Sequence, residues 1–130
     1  MDHKTVEEYV LSMPNAMLDY PFGEDVAVYK VNDKMFALIA EGKDPVRISL
    51  KCDPVLSKVL RDKYTSVMEG YHLNKKHWNT IVLSGELDWE DIQGLIRHSY
   101  DLVAGNKEES PIIKWKMPTQ KYYFSKKTGL

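Results

Sequence analysis

The sequence is poor in cysteine and in long apolar runs, and each shortage excludes a class of protein. Cys52 is the single cysteine, so no intramolecular disulfide can form, which agrees with a reducing compartment. The longest apolar runs, such as MFALIA at 35–40, fall far short of the ~20 residues that cross a bilayer. The N-terminal stretch contains acidic side chains and lacks the apolar core of a signal peptide. We therefore expect a cytoplasmic protein without a membrane span.

Catalytic and metal-binding motifs are also scarce. The sequence contains no GxSxG, no phosphate-cradling glycine loop and no HExxH. Cys52 stands just before a predicted helix start, but a small buried residue at a strand end explains that position better than a reactive thiol does. His72 and His77 offer two ligands, whereas zinc sites usually recruit three or four from the protein. We predict no enzymatic activity, no cofactor and no bound metal.

Charge is nearly balanced overall but unevenly distributed. The net charge of −1 argues against a strongly basic nucleic-acid binder. Residues 110–130 contain five lysines and no acid. The other 109 residues contain the remaining 13 Lys and Arg and all 19 Asp and Glu, a net charge of −6. The chain therefore divides into an acidic domain at 1–106 and a basic, aromatic C-terminal extension at 107–130.

Three stretches with helical periodicity begin at recognisable caps. The first helix is predicted to start at Thr5, whose hydroxyl would form a capping box. The second starts at Asp53, where Pro54 suits the first helical position because its missing donor would be unpaired there. The third starts near Asp88 and carries a long apolar stripe. All three are expected to bury one face.

Between these helices the periodicity changes to two, which is typical of strands. Asn32 and Asp33 form the turn of the first hairpin. The predicted strands are 25–31, 34–40, 46–51, a short one within 64–70 and another within 77–85. This order predicts an α+β protein, with an antiparallel β-sheet of about five strands and helices packed on one face.

Several motifs in this order resemble the MmcQ/YjbR family. They are YPFGED (20–25), VYKVNDKMFA (28–37), SLKCDP (49–54), GYHLNKKHWNTIVL (70–83) and LIRHSYDLV (95–103). The resemblance covers residues 5–104 and implies a frataxin/CyaY-like sandwich. It also implies DNA binding through a double wing of two projecting β-hairpins. The sequence departs from the family at Glu69, where members often have proline, and in the extension at 107–130.

Cations and rings crowd the two predicted hairpins, and they are the candidate DNA contacts. Lysines there would meet phosphates, and aromatic or imidazole rings would stack on bases or sugars. An ordinary surface hairpin, with solvated lysines and Trp78 in the core, explains the same residues and is the favoured interpretation, because a few surface lysines are common in soluble proteins. The candidates are Lys30, Lys34, Lys51, His72, Asn74, Lys75, Lys76, His77 and Trp78.

Two other functions remain open from the sequence. Alternation at 112–117 predicts a strand that docks on a sheet edge or on a partner, which would make the protein an interaction module. The fold resemblance also raises a frataxin-like metal binder, with Glu7 and Glu8 on the first helix as acidic ligands. We expect a monomer or a weak homodimer, with DNA as the leading partner.

Overall fold

A computed structural model describes residues 2–70 and 73–105 of the chain, which contain three helices and six strands. The helices are α1 (His3–Leu11), α2 (Pro54–Lys63) and α3 (Trp89–Ala104). The strands are β1 (Met17–Asp19), β2 (Val26–Val31), β3 (Lys34–Ala40), β4 (Arg47–Lys51), β5 (Val67–Glu69) and β6 (Trp78–Val82). The predicted α+β class is confirmed, with one more strand than expected. The predicted extension at 107–130 lies outside the described residues.

The six strands form one antiparallel sheet in the order β1-β2-β3-β4-β6-β5. The first four strands follow each other as a meander, and β6 lies between β4 and β5. The turn between β2 and β3 is at Asn32 and Asp33, which both have positive φ, 52° and 64°. That conformation suits a tight hairpin and is tolerated best by such short polar side chains.

Helix caps follow the sequence prediction at two of three positions. The Asp53 carboxylate accepts the amide of Val55, and the Asp88 carboxylate caps α3. The capping box at Thr5 is wrong. Asp2 is the N-cap instead, and its carboxylate accepts the Thr5 amide at 2.8 Å, so the N-cap of α1 lies three residues earlier than predicted.

One face of the sheet is covered by the helices and forms the main core. Ser99 of α3 connects the helix to β3 and β4 on this face. Its hydroxyl donates to the Phe36 carbonyl and accepts the Lys51 amide. The opposite face has a smaller buried cluster of Val28, Leu38 and Trp78. The main core contains Val6, Val10, Ala27, Tyr29, Val31, Phe36, Ala37, Ile39, Val46, Ile48, Leu50, Cys52, Leu56, Leu60, Val67, Ile81, Leu83, Leu87, Ile92, Leu95, Ile96 and Tyr100.

The helices of the described residues are short or amphipathic. None of them has an apolar stretch sufficient to cross a bilayer.

Candidate nucleic-acid interface

Three segments of the chain meet at one end of the sheet. The β2–β3 turn, the end of β4 at Lys51 and the loop from β5 to β6 all lie there, because neighbouring strands run in opposite directions. The two hairpin turns are separated by three strand spacings, about 14 Å at ~4.8 Å per strand. The candidate cations of both hairpins therefore lie at this one end of the sheet. We call this end, which comprises the β2–β3 turn, Lys51 and the β5–β6 loop, the turn end.

Asn74 organises the described part of the β5–β6 loop. Its side-chain oxygen accepts the Lys76 amide at 3.0 Å, and its carbonyl accepts the amides of His77 and Trp78 at 3.1 and 2.9 Å. The Asn74 carboxamide oxygen thus already has a partner in the turn. This geometry holds Lys75 and Lys76 at the tip of the loop, where both are exposed.

Arg61 of α2 fixes this loop to the domain. Its guanidinium donates to the Lys75 carbonyl at 3.2 Å and to the Asn79 side-chain oxygen at 2.7 Å. The Asn79 side-chain nitrogen in turn donates to the Ser57 carbonyl at 3.4 Å. Arg61 was not among the candidate residues predicted from the sequence. A signal was present, since Asn79 stands among the core-facing positions of β6 and a buried amide there requires polar partners.

The candidate lysines fall into two groups according to their ion pairs. Lys30 is 3.1 Å from the Asp19 carboxylate, and Lys75 is 3.8 Å from that of Glu69. Within residues 2–70 and 73–105, no carboxylate lies within 4 Å of Lys34, Lys51 or Lys76. These last three cations are the ones whose charge is not already neutralised at short range.

The candidate rings are less accessible than the cations. Trp78 is only 8% exposed and packs with Val28 and Leu38, while Leu73 of the loop covers it in part. The turn passes so close to it that a Cβ on Gly70 would lie 2.8 Å from the Trp78 Cβ. Trp78 therefore has no open face for stacking on a base in this structure.

Of the two histidines in the 70–83 motif, the structure describes only His77. His77 is partly buried, and its carbonyl accepts the Cys52 amide at 2.8 Å. His72 lies outside the described residues. In the part of the chain that the structure describes, no three His, Cys, Asp or Glu side chains are grouped so as to hold a metal ion. The structure thus adds nothing in favour of the metal-binding alternative.

Cys52 is buried beside the start of α2. Burial raises the pKa of its thiol to about 12, and the hydroxyl of Ser57 opposes this only in part. A thiol with this pKa remains protonated near neutral pH and is a poor nucleophile. The chemistry of a reactive cysteine is therefore disfavoured at this site.

A cleft of about 260 Å³ lies at the opposite end of the sheet, between the end of β6 and the start of α3. It contains one acidic side chain, Asp88, whose carboxylate already accepts the Asp91 amide at 2.9 Å. The cleft thus offers no pair of free titratable groups for acid–base catalysis. Its lining residues are Leu83, Ser84, Gly85, Leu87, Asp88, Trp89 and Ile92.

Comparison with known sequences places most of the chain in one family. Residues 11–102 match the family model YjbR. The uncharacterized protein YbdF of Escherichia coli O157:H7 is 36% identical over 102 residues, which are 78% of this chain and 84% of YbdF. The uncharacterized protein YjbR of Escherichia coli strain K12 is 33% identical over 93 residues, 72% of this chain and 79% of YjbR.

Solved structures have the same fold. Protein DR2400 of Deinococcus radiodurans superposes with a TM-score of 0.74 at 36% identity, over 81% of this chain and 78% of DR2400. A crystal structure of a Pseudomonas syringae protein gives a TM-score of 0.69 at 32% identity, over 79% of this chain and 99% of that protein. Sequence and fold agree, and the chain belongs to the YjbR family.

Proposed function

We propose that this protein is a non-enzymatic DNA-binding protein whose turn end contacts the phosphate backbone. The observation that carries the proposal is the position of Lys34, Lys51 and Lys76. They come from three separate segments, lie at the same end of one sheet and have no described carboxylate within 4 Å. The two hairpins that end there would be the wings.

The mechanism is phosphate contact without base readout. The two hairpin turns are about 14 Å apart, and one DNA strand rises ~3.4 Å per nucleotide, so the pair spans about four nucleotides. The lysines act as point charges on flexible stems and impose little geometry on the bases. Because Trp78 is buried in the smaller cluster with Val28 and Leu38, ring stacking is not part of this mechanism. Binding is therefore expected to tolerate any sequence.

Two acids limit the strength of this surface. Glu69 pairs with Lys75, and Asp33 lies in the β2–β3 turn beside Lys34. Residues 1–109 also have a net charge of −6, which repels a polyanion at long range. We therefore expect weak binding that is detectable at low salt and lost near physiological ionic strength.

Fluorescence anisotropy with labelled duplex and single-stranded DNA, measured across a salt series, tests the proposal. Three phosphate contacts predict a slope of log K against log salt of about −3 on duplex. Lys34→Gln, Lys51→Gln and Lys76→Gln should each reduce that slope by about 1. Glu69→Gln should do the opposite and make the slope steeper by about 1, because it releases Lys75.

Lys43→Gln is the matched control. Lys43 is an exposed lysine in the loop between β3 and β4, at the end of the sheet opposite the turn end. The Lys43→Gln substitution removes the same charge from the same acidic domain, but away from the turn end. The slope of log K against log salt should therefore equal that of the wild type. The absence of binding below about 50 mM salt, or an equal effect of Lys43→Gln and Lys76→Gln, would contradict a specific turn-end site.

A protein-interaction module is the second candidate function. It is supported by the apolar side chains exposed along β1, the strand at one edge of the sheet. Static light scattering over a range of concentrations separates a monomer or weak homodimer, which we propose, from a stable oligomer.

We further infer a cytoplasmic location from the single, buried Cys52, a cysteine content typical of reducing compartments.

A further inference from the structure

Strand β1 leaves one edge of the sheet open and exposes apolar side chains beside it. Within residues 2–70 and 73–105, β1 pairs with β2 on one side and with no strand on the other. Met17 is 70% exposed and Phe22 is 65% exposed, and Leu18 and Tyr20 between them are also exposed. Open edges of this kind are usually covered or interrupted by charge in soluble proteins, because their unpaired backbone groups accept another strand. The residues 17–22 therefore form a surface suited to an added strand.

The end of α3 brings the chain close to this surface. The Tyr100 hydroxyl donates to the Pro14 carbonyl at 2.6 Å, and Pro14 precedes β1 by three residues. The helix ends at Gly105, whose positive φ of 79° ends the helical turn. Six residues separate Gly105 from Ile112, and the seven steps between the two can span up to about 23 Å at ~3.3 Å each. A segment starting at Ile112 is thus within reach of β1.

The composition of residues 112–117 matches what an open edge requires. Ile113, Trp115 and Met117 alternate with Lys114 and Lys116, the pattern of a strand with one apolar face. Its positive charge is complementary to the net charge of −6 on residues 1–109. Acids also lie next to the exposed apolar side chains, at Asp19, Glu24 and Asp25.

The other edge strand, β5, is flanked by side chains of the domain itself. At its start the Glu86 carboxylate accepts the Ser66 amide at 2.8 Å. At its end Glu69 pairs with Lys75 of the following loop. Tyr100, five residues before the helix ends at Gly105, also contacts Pro14, which precedes β1 and not β5. These contacts favour β1 as the docking edge.

We propose that residues 112–117 of the C-terminal extension dock on β1 of the same chain as a seventh strand. Their apolar side chains cover the exposed surface at 17–22. Docking within one chain is favoured over docking on a second copy, because a short tether gives the segment an effective concentration on the order of millimolar. The proposal is independent of DNA binding at the turn end.

Amide hydrogen exchange on the full-length chain tests this docking. β1 amides that do not bond to β2 should be protected in the wild type. Trp115→Glu places a charge in the docked face, so it should accelerate exchange at 17–19 by at least about tenfold. Tyr122→Glu introduces the same charge into the extension outside the docking segment, and it should leave exchange at 17–19 unchanged. Equal exchange at 17–19 in the wild type and Trp115→Glu would overturn the proposal.

Disulfide trapping identifies the occupant. In the full-length Met17→Cys/Trp115→Cys variant, oxidation should give an intramolecular disulfide in the monomer. Cys52 should not compete, because it is buried and the pKa of its thiol is raised to about 12. Val55→Cys/Trp115→Cys is the matched control, since Val55 is exposed on α2 away from β1. A disulfide-linked dimer alone, or equal trapping in the control, would overturn docking within one chain.

Discussion

The imidazole Nε2 of His98 accepts the backbone N–H of Asp53 at 3.0 Å, so α3 holds the residue that caps α2. His98 is almost fully buried, and this burial lowers the pKa of the imidazole below its usual value of 6.5. The nearby charges of Asp53 and Asp101 oppose that shift. The folded state therefore keeps His98 neutral, which leaves its Nε2 able to accept the bond.

We expect the His98 contact to weaken in mild acid. Its pKa is lower in the folded than in the unfolded state, so the unfolded state binds more protons and stability falls as pH drops below about 6.5. His98→Gln retains a possible acceptor and removes the titration. The variant should lose about 1–3 kcal/mol at pH 7 and show less loss of stability than the wild type between pH 7 and 5. Urea unfolding at several pH values measures both quantities, and an unchanged pH dependence would count against the assignment.

Asp91 should have the opposite effect. Asp91 is only 5% exposed in the first turn of α3, and burial, followed by the charge of Asp88, raises the pKa of its carboxyl group to about 6. The folded state binds this proton more tightly than the unfolded state, so the contribution of Asp91 to stability increases as pH falls through 6 towards 4. Above pH 6 the ionised carboxylate destabilises the fold.

Asp91→Asn should therefore stabilise the protein at pH 8 by about 1 kcal/mol, because it removes a carboxylate whose ionised form is disfavoured by burial and by the charge of Asp88. The gain should vanish by about pH 4, where the wild-type carboxyl is protonated. Glu90→Gln removes an exposed acid from the same turn and is the control. A gain of equal size in both variants would show that net charge, and not burial at Asp91, is responsible.

Arg61 should be more important for stability than its partial exposure suggests. Arg61→Met retains much of the apolar stem and removes the bonds to the Lys75 carbonyl and to Asn79, leaving the buried Asn79 oxygen without this donor. We expect a loss of about 1–3 kcal/mol in urea unfolding. Amide exchange in the loop at 73–77 should also accelerate. Arg97→Met removes a single exposed hydrogen bond to the Tyr9 hydroxyl and should cost less than 1 kcal/mol.

Gly70→Ala should destabilise the β5–β6 hairpin by overpacking. The new Cβ would lie 2.8 Å from the Trp78 Cβ and 3.2 Å from the Leu73 Cβ, so either the loop or the smaller buried cluster around Trp78 must move. Overpacking of this kind costs about 1–3 kcal/mol. Gly42→Asn is the control, since Gly42 has open space around it and a positive φ that asparagine tolerates. Thermal unfolding of the two variants distinguishes crowding at Gly70 from a general sensitivity of glycine turns.

Local chemistry made much of the fold predictable. The caps at Asp53 and Asp88 and the Asn32–Asp33 turn depend on contacts within a few residues, and each appears where the pattern indicated. β1 was missed because a three-residue strand has no alternation to detect and is formed by pairing with β2. At α1 the N-cap is Asp2 and not the predicted Thr5, because a short polar residue three positions earlier forms the cap that the capping-box pattern assigned to Thr5.

The candidate site was predictable in composition but not in accessibility. The cations of the turn end were visible in the sequence, whereas their neutralisation depends on tertiary pairing. Lys30 meets Asp19 only because β1 lies next to β2. The burial of Trp78 likewise requires the neighbouring strands to bring Val28 and Leu38 beneath it. Only the folded sheet separates the three lysines that have no described carboxylate within 4 Å from the two that are paired.

The position of β6 between β4 and β5 has a consequence for synthesis of the chain on the ribosome. Residues up to Lys51 already contain the whole meander from β1 to β4, yet the partner of β4 on its other side is not made until residues 78–82. During that interval β4 is an edge strand of the nascent chain and lacks this second partner. Its apolar face, which carries Ile48 and Leu50, is not yet covered on that side. We expect chains truncated after Lys63 and released from the ribosome to associate with one another or with chaperones, and chains that include β6 to do so far less.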